Sequence, residues 1–180
     1  MSAPAFFARW RVRLGYPLAI IVLVLAHPTP QSILYGALVG SIGLLIRALA
    51  AGHLHKQAVL TITGPYAHTR NPLYLGSLVM ATGFAFAARS WWMVGILVVM
   101  FVAIYLPVIR AEETFLAQHF PEFAEYARRV PRLVPTLNPP GKQRWEFSRS
   151  LYLKHREYNA SLGALAIMAA LLAKWLWVSR

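Results

Sequence analysis

Four stretches of this chain are too long and too apolar for an ordinary water-soluble domain. Ile33 to Ala51 is apolar apart from Arg47 near its end, and Leu73 to Ala88 is short but uncharged. Trp91 to Ile109 is apolar throughout, and Leu162 to Val178 carries only Lys174, expected to snorkel toward water. Crossing a hydrocarbon core of about 30 Å takes roughly 20 apolar helical residues, because each backbone polar group must be satisfied within its own segment. A fifth run, Leu14 to Ala26, has 13 residues and reaches about 20 Å at a helical rise of about 1.5 Å per residue. It reads as a short or tilted span with Trp10 and Arg13 at its interface. A signal peptide is the alternative for that run, since Arg9, Arg11 and Arg13 precede it and Val24-Leu25-Ala26 is a tolerable cleavage site.

Composition agrees: 58% of the 180 residues are hydrophobic and only 13% charged, which excludes a disordered chain as well as a soluble globule. The formal net charge of +12 would suggest nucleic-acid binding on a soluble protein. Here the charges are segregated between apolar runs and read as topology signals, with no nucleic-acid partner expected. With five spans, all of the 18 Lys and Arg residues except Arg89, Lys174 and Arg180 fall on one side, as do all six glutamates. The positive-inside rule makes that side cytoplasmic, together with the N-terminus, the 52–71 loop and the 110–157 segment. The expected fold is therefore an all-α membrane protein of about five transmembrane helices, one domain over 1–180. Its motif-bearing core is 51–135, and 142–180 holds a C-terminal interfacial segment and the last span.

The two long cytoplasmic segments carry the chemistry. In the first, Gly64-Pro65 forces a turn, and Pro72 suits a first helical position with Asn71 as its N-cap. A helix N-terminus beside Arg70 is a ready site for a carboxylate or phosphate; lipid-headgroup binding by Arg70 is the plainer alternative. In the second, Arg110-Ala111-Glu112-Glu113 stands at the cytoplasmic end of the fourth span. Adjacent acids project about 100° apart, so one can face a pocket while the other faces the loop. Two carboxylates at a helix C-terminus need a compensating cation, a role Arg110 can fill.

Phe115, Leu116, Phe120, Phe123 and Tyr126 follow at helical spacing, as an amphipathic helix broken or restarted at Pro121 and trailed by Arg128, Arg129 and Arg132. Trp145 to Tyr158 reads as a second interfacial element. There is no Cys and no Asp, so thiolate chemistry and Cys-bearing metal sites are excluded, and no Gly-rich nucleotide fingerprint occurs. His53, His55 and His68 are too few and too unsupported for a metal site, and none is expected.

Together, TGPYAHTRNPLYLG (63–76) and EETFLAQHFPEFAEYARRVPRLVP (112–135) resemble the integral-membrane methyltransferases, which include isoprenylcysteine carboxyl methyltransferase and the phospholipid methyltransferases. The resemblance spans roughly Ala51 to Pro135. It implies a membrane enzyme that binds S-adenosylmethionine from the cytosol and passes the methyl group to a lipophilic acceptor entering from the bilayer, an isoprenylcysteine-type carboxylate or a lipid amine. The implied cofactor-lining set is His55, Gly64, Pro65, Tyr66, Arg70, Asn71, Pro72, Tyr74, Glu112 and Glu113. Many relatives have His where this chain has Asn71, which hydrogen-bonds but holds no charge near neutral pH.

The cofactor's ammonium suits Glu112 or Glu113, and its carboxylate suits Arg70 with the helix start at Pro72. Tyr66 and Tyr74 suit the adenosine portion or the sulfonium. Arg110, Glu112 and Glu113 are the expected catalytic residues: Arg110 orients an acceptor carboxylate, or a glutamate takes a proton from an acceptor amine. Arg149, Arg156 and Glu157 are expected at the acceptor's polar head. A sterol-type reductase using NADPH, and a non-catalytic lipid-binding protein, are the competing readings.

Overall fold

The computed structural model of the chain describes residues 20–21, 23–55, 59–139 and 146–179. Among these there is no strand, and the helices run α1 (Pro30–His53), α2 (Pro65–His68), α3 (Pro72–Ala88), α4 (Trp91–His119), α5 (Phe123–Arg129), α6 (Arg149–Lys154) and α7 (Tyr158–Val178). α1, α4 and α7 are long and apolar enough to cross a membrane, and α3 is a shorter apolar helix. The all-α membrane architecture holds. Most of the fifth run, with Trp10 and Arg13, lies outside the described residues, as do Lys56 and Trp145 of the polar segments.

α1 starts at a capping box. The Thr29 hydroxyl accepts from Ser32 N at 3.2 Å, the Ser32 hydroxyl accepts from Thr29 N at 2.9 Å, and Pro30 follows in the first turn. Its two faces are sorted by size. Leu34, Leu38, Ile42 and Leu45 point outward and are more than half exposed, whereas Gly36, Gly40 and Gly43 are buried. Large apolar groups outside and glycines inside is the pattern of a helix solvated by lipid, where close backbone approach replaces hydrophobic burial as the source of cohesion. The partner is α3. A Cβ at Gly43 would stand 2.4 Å from Met80 N, and one at Gly83 would stand 2.5 Å from Gly40 N.

α3 ends at Arg89, whose left-handed backbone (φ 50°) terminates the helix, and Ser90 leads directly into α4, so the two helices form a tight hairpin. Lys174 behaves differently from the expectation that it snorkels to water. Its ammonium donates to the carbonyls of Leu23 at 2.6 Å and Val24 at 2.9 Å, binding α7 to the end of the first apolar run. Carbonyls at a helix end lack intrahelical donors, and a lysine is a natural partner for them.

The fourth span also departs from expectation, because its helix does not end near Ile109. It continues to His119, so Glu112 and Glu113 lie within a helix rather than at its C-terminus. Pro107 supplies the local perturbation: it has no N–H to give the carbonyl four residues back, and the turn just before it widens into a π-helix, Phe101–Tyr105, closed by Leu106 N on Phe101 O. Beyond His119 the chain breaks at Pro121 and restarts as α5, as its sequence pattern indicates. α6, within the expected second interfacial element, is fastened to the end of α1. Ser148 N donates to Gly52 O at 2.9 Å, and His155 Nε2 donates to Leu54 O at 3.0 Å.

Candidate functional site

The start of α3 is the anchor of the polar cluster. Gly64 has φ +57°, a conformation open to glycine, and a Cβ there would meet the His53 imidazole at 2.5 Å. Pro65 then opens the single turn of α2, so Gly-Pro initiates a short helix where the sequence suggested only a turn. Thr69 follows in extended backbone, and Asn71 is the N-cap of α3 without giving a side-chain capping bond. The Asn71 amide is committed elsewhere: its Nδ2 donates to Glu113 Oε1 at 3.2 Å and to Arg132 O at 3.0 Å.

Glu113 is the centre of the cluster and only 8% exposed. Its Oε1 lies 3.1 Å from Arg70 Nε, and its Oε2 accepts from Arg132 Nε at 2.9 Å and lies 2.8 Å from Arg132 Nη2. The Arg70 contact is ionic rather than directional: Arg70 Nε is buried and has no hydrogen-bond acceptor in line among the described residues. Arg70 Nη1 donates to Ala127 O at 3.0 Å. The hydrogen bond from Arg132 to Glu113 holds that guanidinium still more firmly protonated.

The segment after α5 straps this arrangement down. Arg70 N donates to Pro131 O at 2.9 Å, the Thr69 hydroxyl to Arg132 O at 3.1 Å, and Thr136 N to His68 O at 2.9 Å. His68 Nδ1 returns the bond to Thr136 O at 2.8 Å.

Glu112 turns the other way. It is exposed, and its Oε1 accepts from the Tyr74 hydroxyl at 2.8 Å. Tyr66 is buried between the two arms. Burial, followed by the nearby Tyr126 and the charges of Glu112 and Glu157, pushes its hydroxyl well above the ordinary tyrosine range. The Tyr126 hydroxyl donates to Tyr66 O at 2.7 Å and is also raised, chiefly by burial, with Arg70 opposing.

A second ion pair stands one turn further along α3. Arg47 reaches from α1 across α3 to Glu157 at the start of α7, with its Nη1 on the Ser77 hydroxyl and 3.5 Å from Leu73 O. Gly76 makes the crossing possible, since a Cβ there would meet Arg47 Cγ at 2.7 Å.

The structure thus brings together Tyr66, Arg70, Asn71, Pro72, Tyr74, Glu112 and Glu113 from the expected set, with Gly64 and Pro65 shaping the approach. Of the expected acceptor contacts, Glu157 is buried on Arg47, whereas Arg149 and Arg156 are exposed. His55 is exposed, its N–H donating to the Thr61 hydroxyl at 3.2 Å, and Arg110 is exposed on α4. The cations that compensate Glu113 are Arg70 and Arg132, not Arg110. In the sequence Arg132 is one of three trailing bases, and Arg47 a charge near the end of a span. A lone arginine inside an apolar run was the available signal for the latter, because such a charge needs a partner. Among the described residues no three His, Cys, Asp or Glu side chains group together as metal ligands.

Fold and site define an all-α integral-membrane protein whose polar cluster stands where its apolar helices meet their polar extensions. Residues 49–122 match the model of the phospholipid methyltransferase family, which bears out the resemblance read from the two motifs. Over 138 residues the chain is 36% identical to the cobalt-zinc-cadmium resistance protein CzcN of Cupriavidus metallidurans, covering 72% of this chain and 63% of that protein. It is 32% identical to the nickel-cobalt-cadmium resistance protein NccN of Alcaligenes xylosoxydans xylosoxydans, covering 72% of this chain and 64% of that protein. The chain therefore spans a little under two thirds of the length of these curated relatives. No solved structure matches it.

Proposed function

We propose that this protein transfers a methyl group from S-adenosylmethionine to a lipophilic acceptor at the cytoplasmic face of a membrane. The observation that carries the reading is the convergence of Arg70 on Glu113, 3.1 Å apart, at the start of an apolar helix and inside the segment that matches the phospholipid methyltransferase family.

The donor set fits such a cofactor. Its carboxylate is matched by Arg70, whose buried Nε has no acceptor in line, and by the start of α3, where Asn71 gives no side-chain cap. Its ammonium is matched by Glu112, the carboxylate left exposed beside the Tyr74 hydroxyl, while Glu113 is occupied by two guanidinium groups. Tyr66 and Tyr74 supply aromatic faces for the adenosine portion or the sulfonium.

The bound cofactor supplies an electrophilic methyl carbon, and displacement there builds no oxyanion. The chain's residues therefore work by alignment and exclusion of water. Tyr66, a buried and neutral phenol, is assigned to line the site without adding charge. For an amine acceptor we assign uptake of the released proton to Glu112, and for a carboxylate acceptor we assign its orientation to Arg110, which is exposed on α4 outside the cluster. The names of the relatives concern metal resistance; for this chain we read methyl transfer to a membrane constituent as the chemistry.

The test is binding of S-adenosylhomocysteine and of NADPH to the purified protein by thermal shift, since a ligand selective for the native state stabilises it by mass action. Stabilisation by S-adenosylhomocysteine and transfer of a labelled methyl group into extracted lipid are expected. Stabilisation by NADPH alone would point to a reductase, and stabilisation by neither to a lipid-binding protein without catalysis.

A further inference from the structure

The strap that follows α5 leaves two apolar side chains uncovered beside the polar cluster. Its backbone is fixed on the residues before α3. Pro131 O accepts from Arg70 N at 2.9 Å, Arg132 O accepts from the Thr69 hydroxyl at 3.1 Å and from Asn71 Nδ2 at 3.0 Å, and Thr136 N donates to His68 O at 2.9 Å. Val134 and Leu137 nonetheless stand 75% and 92% exposed. α5 shows the opposite arrangement, with Phe123 buried and Glu122, Glu125, Arg128 and Arg129 exposed.

The depth of the strap follows from α3. Its 17 residues extend about 26 Å at a rise of about 1.5 Å per residue, less than a hydrocarbon core of about 30 Å. At its far end the exposed Arg89, Trp91 and Trp92 mark the opposite interface. Asn71, and the strap bonded to it, therefore lie at the boundary between acyl chains and headgroups rather than clear of the bilayer. There an exposed valine and leucine gain by leaving water. Charge points to the same partner. Arg110, Arg128, Arg149, Lys154 and Arg156 are exposed on this side with no carboxylate partner among the described residues, and such bases are drawn to an anionic leaflet.

We propose that the strap, residues 131–138, is seated in the membrane: Val134 and Leu137 insert into the interface of an anionic leaflet and so hold the strap's carbonyls on Thr69, Arg70 and Asn71. The lipid surface then completes the polar cluster, which is fully assembled only at a bilayer. The insertion stands by itself, whereas its effect on the cofactor rests on the methyl-transfer reading.

The chain has no cysteine, so Val134→Cys, Leu137→Cys and, as the water-facing control, Glu122→Cys each carry a single bimane label. The full chain is reconstituted into phosphatidylcholine bilayers with and without phosphatidylglycerol. Lipids bearing a shallow nitroxide should quench the labels at 134 and 137 at least threefold more than the label at 122. Acrylamide in the water should give the reverse order, and phosphatidylglycerol should widen both differences. Acrylamide reaching all three labels equally overturns the insertion. Shielding of 134 and 137 from both quenchers assigns them to a second copy of the chain and overturns it as well, and indifference to phosphatidylglycerol overturns the anionic preference. The double variant Val134→Ser, Leu137→Ser, at two exposed positions, should weaken S-adenosylhomocysteine binding at least threefold in the bilayer and leave the thermal midpoint in detergent unchanged. Unchanged affinity overturns the link to the site. Absence of S-adenosylhomocysteine binding by the unaltered protein overturns that link together with the methyl-transfer reading, and the quenching still decides the insertion.

Discussion

Arg70 Nε stands 3.1 Å from Glu113 Oε1, joining the loop before α3 to the C-terminal part of α4 across 43 positions of sequence. Both side chains are mostly buried, so removing either leaves a charge with reduced compensation. Arg132 remains on Glu113 in Arg70→Ala, which should keep the protein folded. Cofactor affinity is expected to fall at least tenfold, about 1.4 kcal/mol, for both Arg70→Ala and Glu113→Ala, read by isothermal titration with S-adenosylhomocysteine. Arg70→Lys should recover only part, because an ammonium keeps the charge and loses the planar fork. Unchanged affinity in both alanine variants would remove the site from the cofactor.

Arg47 and Glu157 invite a different measurement. The pair unites α1, α3 and α7, and Glu157 is 8% exposed. Breaking a buried pair by removing one partner costs about 3–5 kcal/mol, while replacing both with apolar groups of similar volume is often close to neutral. Glu157→Leu and Arg47→Met should each destabilise the detergent-solubilised protein more than the double variant does. A double-variant loss equal to the sum of the single losses would show that the two charges act independently.

Gly76 gives the sharpest steric prediction. Its missing Cβ leaves the path for Arg47 Cγ and for Gly43 O, which a methyl group would meet at 2.7 and 2.8 Å. Gly76→Ala should lower the thermal midpoint and weaken cofactor binding, since Leu73 and Ser77, which hold Arg47, lie one turn or less from the site. Gly95→Ala, with nothing within 4 Å of the added carbon, is the control and should leave both unchanged or raise the midpoint slightly.

Tyr66 and Tyr126 predict an alkaline limb. Both hydroxyls are raised above the ordinary value, so the folded state holds their protons more tightly than the unfolded state. Stability is therefore unaffected by these groups below about pH 10, the unperturbed tyrosine value, and declines as pH climbs beyond it. Ultraviolet titration should show two of the eight tyrosines resisting ionisation until the protein unfolds. Tyr126→Phe should remove one of them and cost about 1 kcal/mol for the lost bond to Tyr66 O. Ionisation of all eight in the folded state would contradict the burial.

Much of this was legible in the sequence for reasons that can be named. Apolar runs of membrane length announce α1, α4 and α7 because lipid imposes one length on every span. Asn71-Pro72 marks the start of α3 because proline suits a first helical turn. The Glu112-Glu113 register followed from helical geometry, but which acid turns inward did not, because that depends on where Arg70 and Arg132 arrive from distant segments. The length of α4 was hidden for a related reason: the sequence turns polar at Arg110, which marks the edge of the apolar region and not the end of the helix. The sequence points Lys174 to water because it lies near the end of its apolar run, and the carbonyls of Leu23 and Val24 that receive it come within reach only once the helices are packed.

Arg156 separates a structural from a functional reading of the joint between α6 and α7. It is exposed and has φ +52°, a left-handed backbone that disfavours a side chain by roughly 1–2 kcal/mol. Structure alone therefore gains from Arg156→Gly, partly offset by the entropy of a freer unfolded chain, and the thermal midpoint should hold or rise. We propose that the strain is retained because this turn delivers Glu157 to Arg47 while leaving the Arg156 guanidinium free for the acceptor's polar head. The glycine variant should then raise the acceptor KM severalfold with S-adenosylhomocysteine affinity unchanged, and Arg156→Lys should restore most of it. A variant that gains stability with no change in acceptor KM would leave the left-handed turn a feature of the fold and remove Arg156 from the acceptor site.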